Sequence, residues 1–412
     1  MTTLNDTPSG NRLHIGIFGR TNNGKSSFIN AFTKQNVSIV ADQAGTTTDP
    51  VYKPMEINPL GACVIIDTAG FADESALGES RLEKTRLAAQ KSDIAVIIIG
   101  ADCFLPEKME SFSFQQQLPE EYAWYKFFAD KGTPVLIVVN KSDLNCLAAL
   151  LAEKIALETG RDTLSVSALT GEGMEKVKET LVRLLPESYG AQYITGSLVT
   201  ENDLVLLVMP QDIQAPKGRL ILPQVQTLRE LLDKKCLVVS VTTDKLTAVL
   251  PLLAKPPKLI ITDSQVFDLV YQNKPKESML TSFSVLFAAY KGDITYYVEG
   301  AKAIDNLTEG SRVLIAECCT HAPLTEDIGR VKIPRMLKKR FGEGIQVDLV
   351  SGTDFPKKLS DYDLIIQCGA CMFNRKYVLS RIDRARAQHV PMTNYGVTIA
   401  HLTGILEQVV IP

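Results

Sequence analysis

The chain has 412 residues, too many for one hydrophobic core, so two or three domains are expected. Hydrophobic residues make up 45% and charged residues 22%, a composition that excludes disordered and collagen-like classes. The formal net charge is −3 with no long Lys/Arg block, which argues against a dedicated nucleic-acid binder. The longest apolar runs, such as Ile94 to Ile99 and Leu204 to Val208, are too short to span a bilayer, so no membrane association is expected. Met1 to Asp6 carry no basic region ahead of an apolar core, so no secretion signal is expected and a cytoplasmic location is. Eight cysteines then read as reduced thiols or metal ligands rather than disulfides. Cys63, Cys103, Cys146 and Cys236 stand alone in mostly apolar surroundings and read as packing residues.

In chain order, residues 12–18 form an apolar run that ends in a Gly-rich loop and a helical pattern from Ser26 to Phe32. Strands are predicted at Ala62–Asp67, Ile94–Gly100, Val135–Asn140 and Thr163–Val166, alternating with helix-length segments, the pattern of a doubly wound, mainly parallel α/β sheet. A domain edge falls near Leu185–Gly190, giving a P-loop GTPase domain over 10–188. A second block follows over 189–273. It predicts strands at Leu204–Met209, Cys236–Val241 and Lys258–Ile261, and helices at Pro223–Leu232, Lys245–Leu253 and from Asp263 to Tyr271. This small three-stranded α/β domain of roughly seventy residues is marginal alone. Its open sheet edges predict an assembly module, hence a homodimer. The polar segment Tyr271 to Lys276 reads as a linker into a third α/β domain over 274–412. There, strands are predicted at Arg312–Ala316, Gln346–Val350 and Leu364–Gln367, and helices at Pro334–Phe341, Asn374–Ala387 and Tyr395–Val409.

Gly19 to Ser26 reads Gly-x-x-x-x-Gly-Lys-Ser between a strand and a helix, the phosphate-loop pattern. The backbone N–H groups around Asn23, Gly24 and Ser27 cradle phosphates, Lys25 neutralises them, and the Ser26 hydroxyl is a hard oxygen ligand for Mg²⁺. Asp67-Thr68-Ala69-Gly70 follows a strand, so Asp67 can reach Mg²⁺ through water while the Gly70 N–H meets the γ-phosphate. A switch loop at Gly45 to Asp49 offers a Thr oxygen to the metal, Thr47 by preference and Thr46 as the alternative. Asn140-Lys141-Ser142-Asp143 offers a carboxylate that accepts from guanine N1 and its amino group, a donor pair adenine lacks, so GTP is expected over ATP. Ser167-Ala168-Leu169 closes over the base. Lys25, Thr47 and Gly70 are the expected catalytic groups. Phe71 occupies the position where Ras-type enzymes place a water-orienting Gln.

Near the other end of the chain, Cys319 and His321 follow the strand Arg312–Ala316, and Cys368 follows Leu364–Gln367. Ligands gather beyond the carboxyl ends of strands in open α/β sheets, so residues separated by 46 others can converge. Cys371 precedes a helix whose N-terminal dipole favours thiolate. Three Cys and one His fit a structural zinc site, an iron–sulfur cluster with one non-thiolate ligand, or a redox pair. Cys318 reads as a core residue. Arg381, Arg384 and Arg386 read as a solvated helix face.

The GTP-binding motifs resemble those of the TrmE–Era–EngA group of GTPases. In potassium-activated members, an Asn at the position of Asn22 helps bind K⁺, and the resemblance implies slow, K⁺-stimulated hydrolysis. With Cys319-Thr320-His321 and Cys368-Gly369-Ala370-Cys371, nearly the whole chain resembles the FeFe-hydrogenase maturation GTPases, the HydF family. The resemblance implies a 4Fe-4S cluster on Cys319, Cys368 and Cys371, with His321 near the fourth iron. It further implies a scaffold that accepts a diiron precursor assembled by two radical-SAM maturases and delivers it to the hydrogenase apo-protein. One departure stands out: the family has His before Cys-x-x-Cys, whereas this chain has Gln367, which leaves the fourth ligand open. The competing reading is an RNA-modifying or ribosome-assembly GTPase with a structural zinc domain, and the third is a dithiol switch at Cys368 and Cys371.

Overall fold

A computed structural model of the chain describes residues 7–35, 49–68, 70, 78–104, 109–186, 189–190, 192–210, 220–318 and 327–412, without the side chains of 78–81 and 103. Two compact α/β units divide at Gly190 and Ala191. Among the described residues, no helix is long and apolar enough to cross a membrane.

The first unit is built on strands β1 (Leu13–Phe18), β2 (Val51–Ile57), β3 (Gly61–Asp67), β4 (Ile94–Gly100), β5 (Val135–Asn140) and β6 (Thr163–Ser165). They form one sheet in the order β2-β3-β1-β4-β5-β6, parallel except for the antiparallel β2–β3 pair. Strands β1, β4 and β5 are buried along their whole length, as near-continuous Val/Ile/Leu runs must be when helices cover both faces. Strand β2 escaped the sequence reading because it lies at the sheet edge and six of its seven residues are at least partly exposed, leaving no apolar run to detect.

The second unit holds two four-stranded, all-parallel sheets. One orders β7 (Leu204–Val208), β8 (Leu237–Val241), β9 (Leu259–Thr262) and β10 (Met279–Ser282) as β10-β9-β7-β8. The other orders β11 (Arg312–Ala316), β12 (Gln346–Val350), β13 (Leu364–Gln367) and β14 (Met392–Asn394) as β12-β11-β13-β14. The expected three-stranded sheet therefore gains a fourth strand, and it runs past residue 273. The Pro275 segment is a turn that returns the chain to the same sheet. The helix expected over Tyr395–Val409 stops at Leu402, where Thr403 and Gly404 turn the chain.

The two sheets do not stand apart. Leu206, Ile260 and Leu280 from the first share one apolar core with Val313, Ile315 and Ile365 from the second. Val409 bridges to Leu280, and the Val410 N–H donates to the Leu280 carbonyl at 2.8 Å. Gly300, on the helix Ile294–Ala301, lies so close to β14 that a Cβ there would sit 2.1 Å from the Met392 carbonyl oxygen. This shared core answers the marginal stability expected of so small a sheet on its own.

Candidate functional site

The phosphate loop links β1 to the helix Lys25–Thr33. Gly24 sits at φ +84°, and a Cβ there would lie 2.4 Å from Asn140 Nδ2, so both the backbone conformation and the space demand glycine. Asn140 lies at the end of β5, fully buried, and joins three motifs. Its Nδ2 donates to the Asn23 carbonyl at 3.0 Å, and its Oδ1 accepts from the Ala168 N–H at 2.9 Å. Asn23 Nδ2 in turn donates to the Ile98 carbonyl at 2.8 Å. Two of these hydrogen bonds, at about 1 kcal/mol each, fix the loop against β4 and β5, and the third ties the Ala168 segment to β5.

Lys25 is 9% exposed, and its ammonium donates to the carbonyls of Gly19 and Arg20, each at 2.9 Å. Burial pulls its pKa down to about 8, with the nearby Asp67 carboxylate opposing. Asp67 is buried at the end of β3, in register with Ile17 of β1. Ser26 is half-buried in the first turn of the helix, and Asn22 is exposed at φ +65°. Gly70 packs backbone against the loop, where a Cβ would lie 2.3 Å from Thr21 Oγ1. Beside the loop, Gly24, Ser27, Asn140, Lys141, Asp143 and Ala168 line a cleft of about 590 Å³. Asp143 is exposed and held by the Ser167 hydroxyl, which donates to Oδ1 at 2.6 Å. Lys141 bonds Asp102 at 2.7 Å. Leu169 is 82% exposed. Thr46, Thr47 and Phe71 lie outside the described residues.

One tether escaped the sequence reading. Arg20 of the loop pairs with Glu121 at 3.0 Å and Glu120 at 3.2 Å, on the helix Pro119–Asp130. Burial pushes the Glu121 carboxyl up. A charged pair in the first turn of a helix reads as solvated, and nothing in the spacing signals that Glu121 turns inward.

In the second unit, β11 and β13 lie side by side with Ala316 opposite Gln367. The chain beyond both strand ends therefore meets. The Cys318 N–H donates to Cys368 Sγ at 3.2 Å, and the Ala370 N–H donates to the same sulfur at 3.4 Å. The thiol of Cys318 hydrogen-bonds Cys368 as well, and with these donors it holds the Cys368 pKa down to about 7 against burial. Burial pushes the Cys318 thiol well up. Cys371 is half-buried just before Asn374, whose side chain caps the helix Arg375–Ala387. Cys319 and His321 lie outside the described residues. Among the described residues, no three His, Cys, Asp or Glu side chains converge on a metal-sized site. None of Cys63, Cys146, Cys236, Cys318, Cys368 and Cys371 is in a disulfide. Cys63 and Cys236 are packing residues, but Cys146 is exposed.

Arg381 is the largest correction. Instead of a solvated face, it is fully buried, its guanidinium 4.8 Å from the Phe355 ring and 5.1 Å from the rings of Phe373 and Tyr377. It donates to Gln367 Oε1 at 3.0 Å and to the Gly352 carbonyl. Gln367 is itself fully buried and donates to Cys318 Sγ at 3.0 Å. No sequence pattern marks this, because Arg on a helix is ordinarily exposed.

Three domain families match the chain. A 50S ribosome-binding GTPase family matches residues 14–141, the hydrogen maturase F dimerization domain matches 194–292, and the hydrogen maturase F tetramerization domain matches 295–412. The tRNA modification GTPase MnmE of Psychrobacter arcticus is 31% identical over 176 residues, which is 41% of this chain and 35% of that protein. The GTPase Der of Mycoplasmopsis pulmonis is 32% identical over 182 residues, 41% of this chain and 39% of that protein. The chain thus spans less than half the length of either relative. Among solved structures, an Aquifex aeolicus Era variant bound to GDP and aluminium fluoride is 18% identical, with a TM-score of 0.35, covering 65% of this chain and 99% of that one.

Proposed function

The chain belongs to the hydrogen maturase F family, with a GTPase domain ahead of two maturase domains, and from that premise we propose that it is a GTP-hydrolysing iron–sulfur carrier. In this reading the protein binds a 4Fe-4S cluster, accepts a diiron precursor from two radical-SAM maturases, and hands it to the FeFe-hydrogenase apo-protein.

The observation that carries the reading is the meeting of the two cysteine segments. Cys318, adjacent in sequence to Cys319, donates its N–H to the sulfur of Cys368. The donor chemistry fits a cluster. Cys368 already receives two backbone N–H groups, which help hold its pKa below that of an ordinary thiol, at about 7. Cys319, Cys368 and Cys371 would hold three irons, with His321 beside the fourth. Bound there, the cluster would supply an iron with an exchangeable ligand as a docking point for the diiron cargo. Gln367 does not serve as that ligand, because both ends of its amide are occupied by Arg381 and Cys318.

At the nucleotide site, Lys25 neutralises the β- and γ-phosphates and the Gly70 N–H meets the γ-phosphate. Ser26, Asp67 and Thr47 hold Mg²⁺, and Asn22 contributes an oxygen to K⁺, so hydrolysis is stimulated by K⁺ over Na⁺. Asp143, pre-oriented by Ser167, reads the guanine edge. GTP shifts the protein between states of different partner affinity, and the size of that difference limits the shift. The open edge strand β8, with Leu237 54% exposed, joins a second copy in the homodimer.

The test is transfer. Protein loaded with cluster and diiron precursor is mixed with hydrogenase apo-protein, and hydrogen evolution is recorded with and without GTP. The reading expects activity to appear with the wild type and to be absent with Cys368→Ser. Equal activation by both proteins would contradict it.

A further inference from the structure

The buried groups behind Cys368 form a one-way chain of donors. Arg381 has only N–H groups to offer, so the Gln367 amide oxygen must face it, at 3.0 Å. That fixes the amide orientation and turns the Gln367 NH₂ toward Cys318 Sγ, at 3.0 Å. Cys318, accepting there, has its own S–H left to offer toward Cys368, whose sulfur already accepts from the Cys318 backbone N–H at 3.2 Å. Side contacts run beside it: the Gln367 NH₂ also reaches Cys368 Sγ at 3.8 Å, and Arg381 also donates to Cys318 Sγ at 3.9 Å and to the Gly352 carbonyl. Gln367, Arg381 and Cys318 are all buried, and the Arg381 guanidinium is stacked among three aromatic rings. In so dry a setting each hydrogen bond polarises the next.

We propose that Arg381, Gln367 and Cys318 are positioning residues that carry positive polarisation from a buried guanidinium to the sulfur of Cys368, making a cluster held there easier to reduce. The inference rests on the cluster reading above and deepens it. Hydrogen bonds donated to a ligand sulfur withdraw charge from it, which favours the reduced, more negative state of the centre. A glutamine in this place thus sits behind the site as a donor, and a donor-only partner beneath it keeps the amide from turning over.

The experiment pairs two substitutions at one small side chain. Cys318→Ser keeps an O–H to donate toward Cys368, whereas Cys318→Ala keeps none. Each protein is reconstituted anaerobically with iron and sulfide, its iron is counted, and its midpoint potential is read by redox titration followed by electron paramagnetic resonance. Cys318→Ala is expected to hold as much iron as the wild type with a potential shifted negative, a tenfold weaker reduction equilibrium corresponding to about 59 mV. Cys318→Ser is expected to stay within a few-fold of the wild type. Gln367→Leu, which breaks the chain one step earlier, is expected to shift in the same direction as Cys318→Ala. Equal potentials in wild type, Cys318→Ala and Gln367→Leu would overturn the inference. Loss of iron from both Cys318 variants would overturn it too, by making Cys318 a ligand rather than a donor. Absence of iron from the wild type itself would instead show that the cluster reading had failed first.

Discussion

The nucleotide site and the thiol site are both built beyond the carboxyl ends of parallel strands, but they are assembled differently. Around the phosphates, each functional group lies within a few residues of the strand that positions it, and buried Asn140 ties the pieces together. At the thiol site, the decisive contacts join residues 49 to 63 positions apart, through the β11–β13 register and the helix Arg375–Ala387. The difference teaches that a site made of contiguous loops announces itself by spacing. A site made by strand register shows only its ligands, not the groups behind them.

If the two sites are separate constructions, damage to one should leave the other intact. The largest effect is expected from Lys25→Ala. Removing the ammonium proposed to meet the phosphates should weaken GTP binding on the order of a hundredfold, as expected for about 3 kcal/mol of charge-assisted hydrogen bonding. Fluorescent-nucleotide titration reads this, and iron content after reconstitution should be unchanged. A parallel loss of iron would break the comparison.

Asp143→Asn comes next. The amide cannot accept from both guanine donors, and it loses the charge in the 2.6 Å hydrogen bond from Ser167. GTP affinity should fall roughly tenfold to a hundredfold with no gain for ATP, as competition binding would record.

A pH series sharpens the nucleotide half. Lys25 is cationic below its pKa of about 8 and neutral above it. Bound phosphates raise that pKa, so binding takes up a proton above pH 8. GTP affinity should hold steady below pH 8 and then fall by up to about tenfold per unit above it. Calorimetry in buffers of different ionisation enthalpy would show the proton uptake. An affinity flat to pH 9.5 would show that burial does not bring the Lys25 pKa of the free protein down to about 8.

The smallest effect expected lies at the edge of the second unit. Leu237→Lys places a charge on exposed strand β8 and should weaken self-association several-fold in sedimentation, with GTP affinity untouched.

Much of the architecture was legible because buried parallel strands are continuous apolar runs. Strands β4, β5, β11, β12 and β13 fall at the residues their sequences predict. What was not legible is physical in origin. Strand β2 is too exposed to look apolar, and β10 (Met279–Ser282) and β14 (Met392–Asn394) offer at most two consecutive apolar residues. Lys25 of the phosphate loop lies near the Asp67 carboxylate, and Asn140 bonds Asn23 of the same loop. Arg381 was invisible because burial of a guanidinium depends on aromatic rings at Phe355, Phe373 and Tyr377, which only the fold brings together. Cys318 read as core, and it is buried, yet its partner is the sulfur of Cys368.

The most direct measurement is the iron and acid-labile sulfide content of anaerobically reconstituted protein, with its low-temperature paramagnetic resonance after reduction. About four irons and four sulfides per chain with a reduced-cluster signal are expected, as for a [4Fe–4S] centre. Both should be lost in Cys319→Ser, Cys368→Ser and Cys371→Ser and kept in Cys146→Ser. Stoichiometric zinc with no iron signal, or a cluster that survives all three serine variants, would contradict the account.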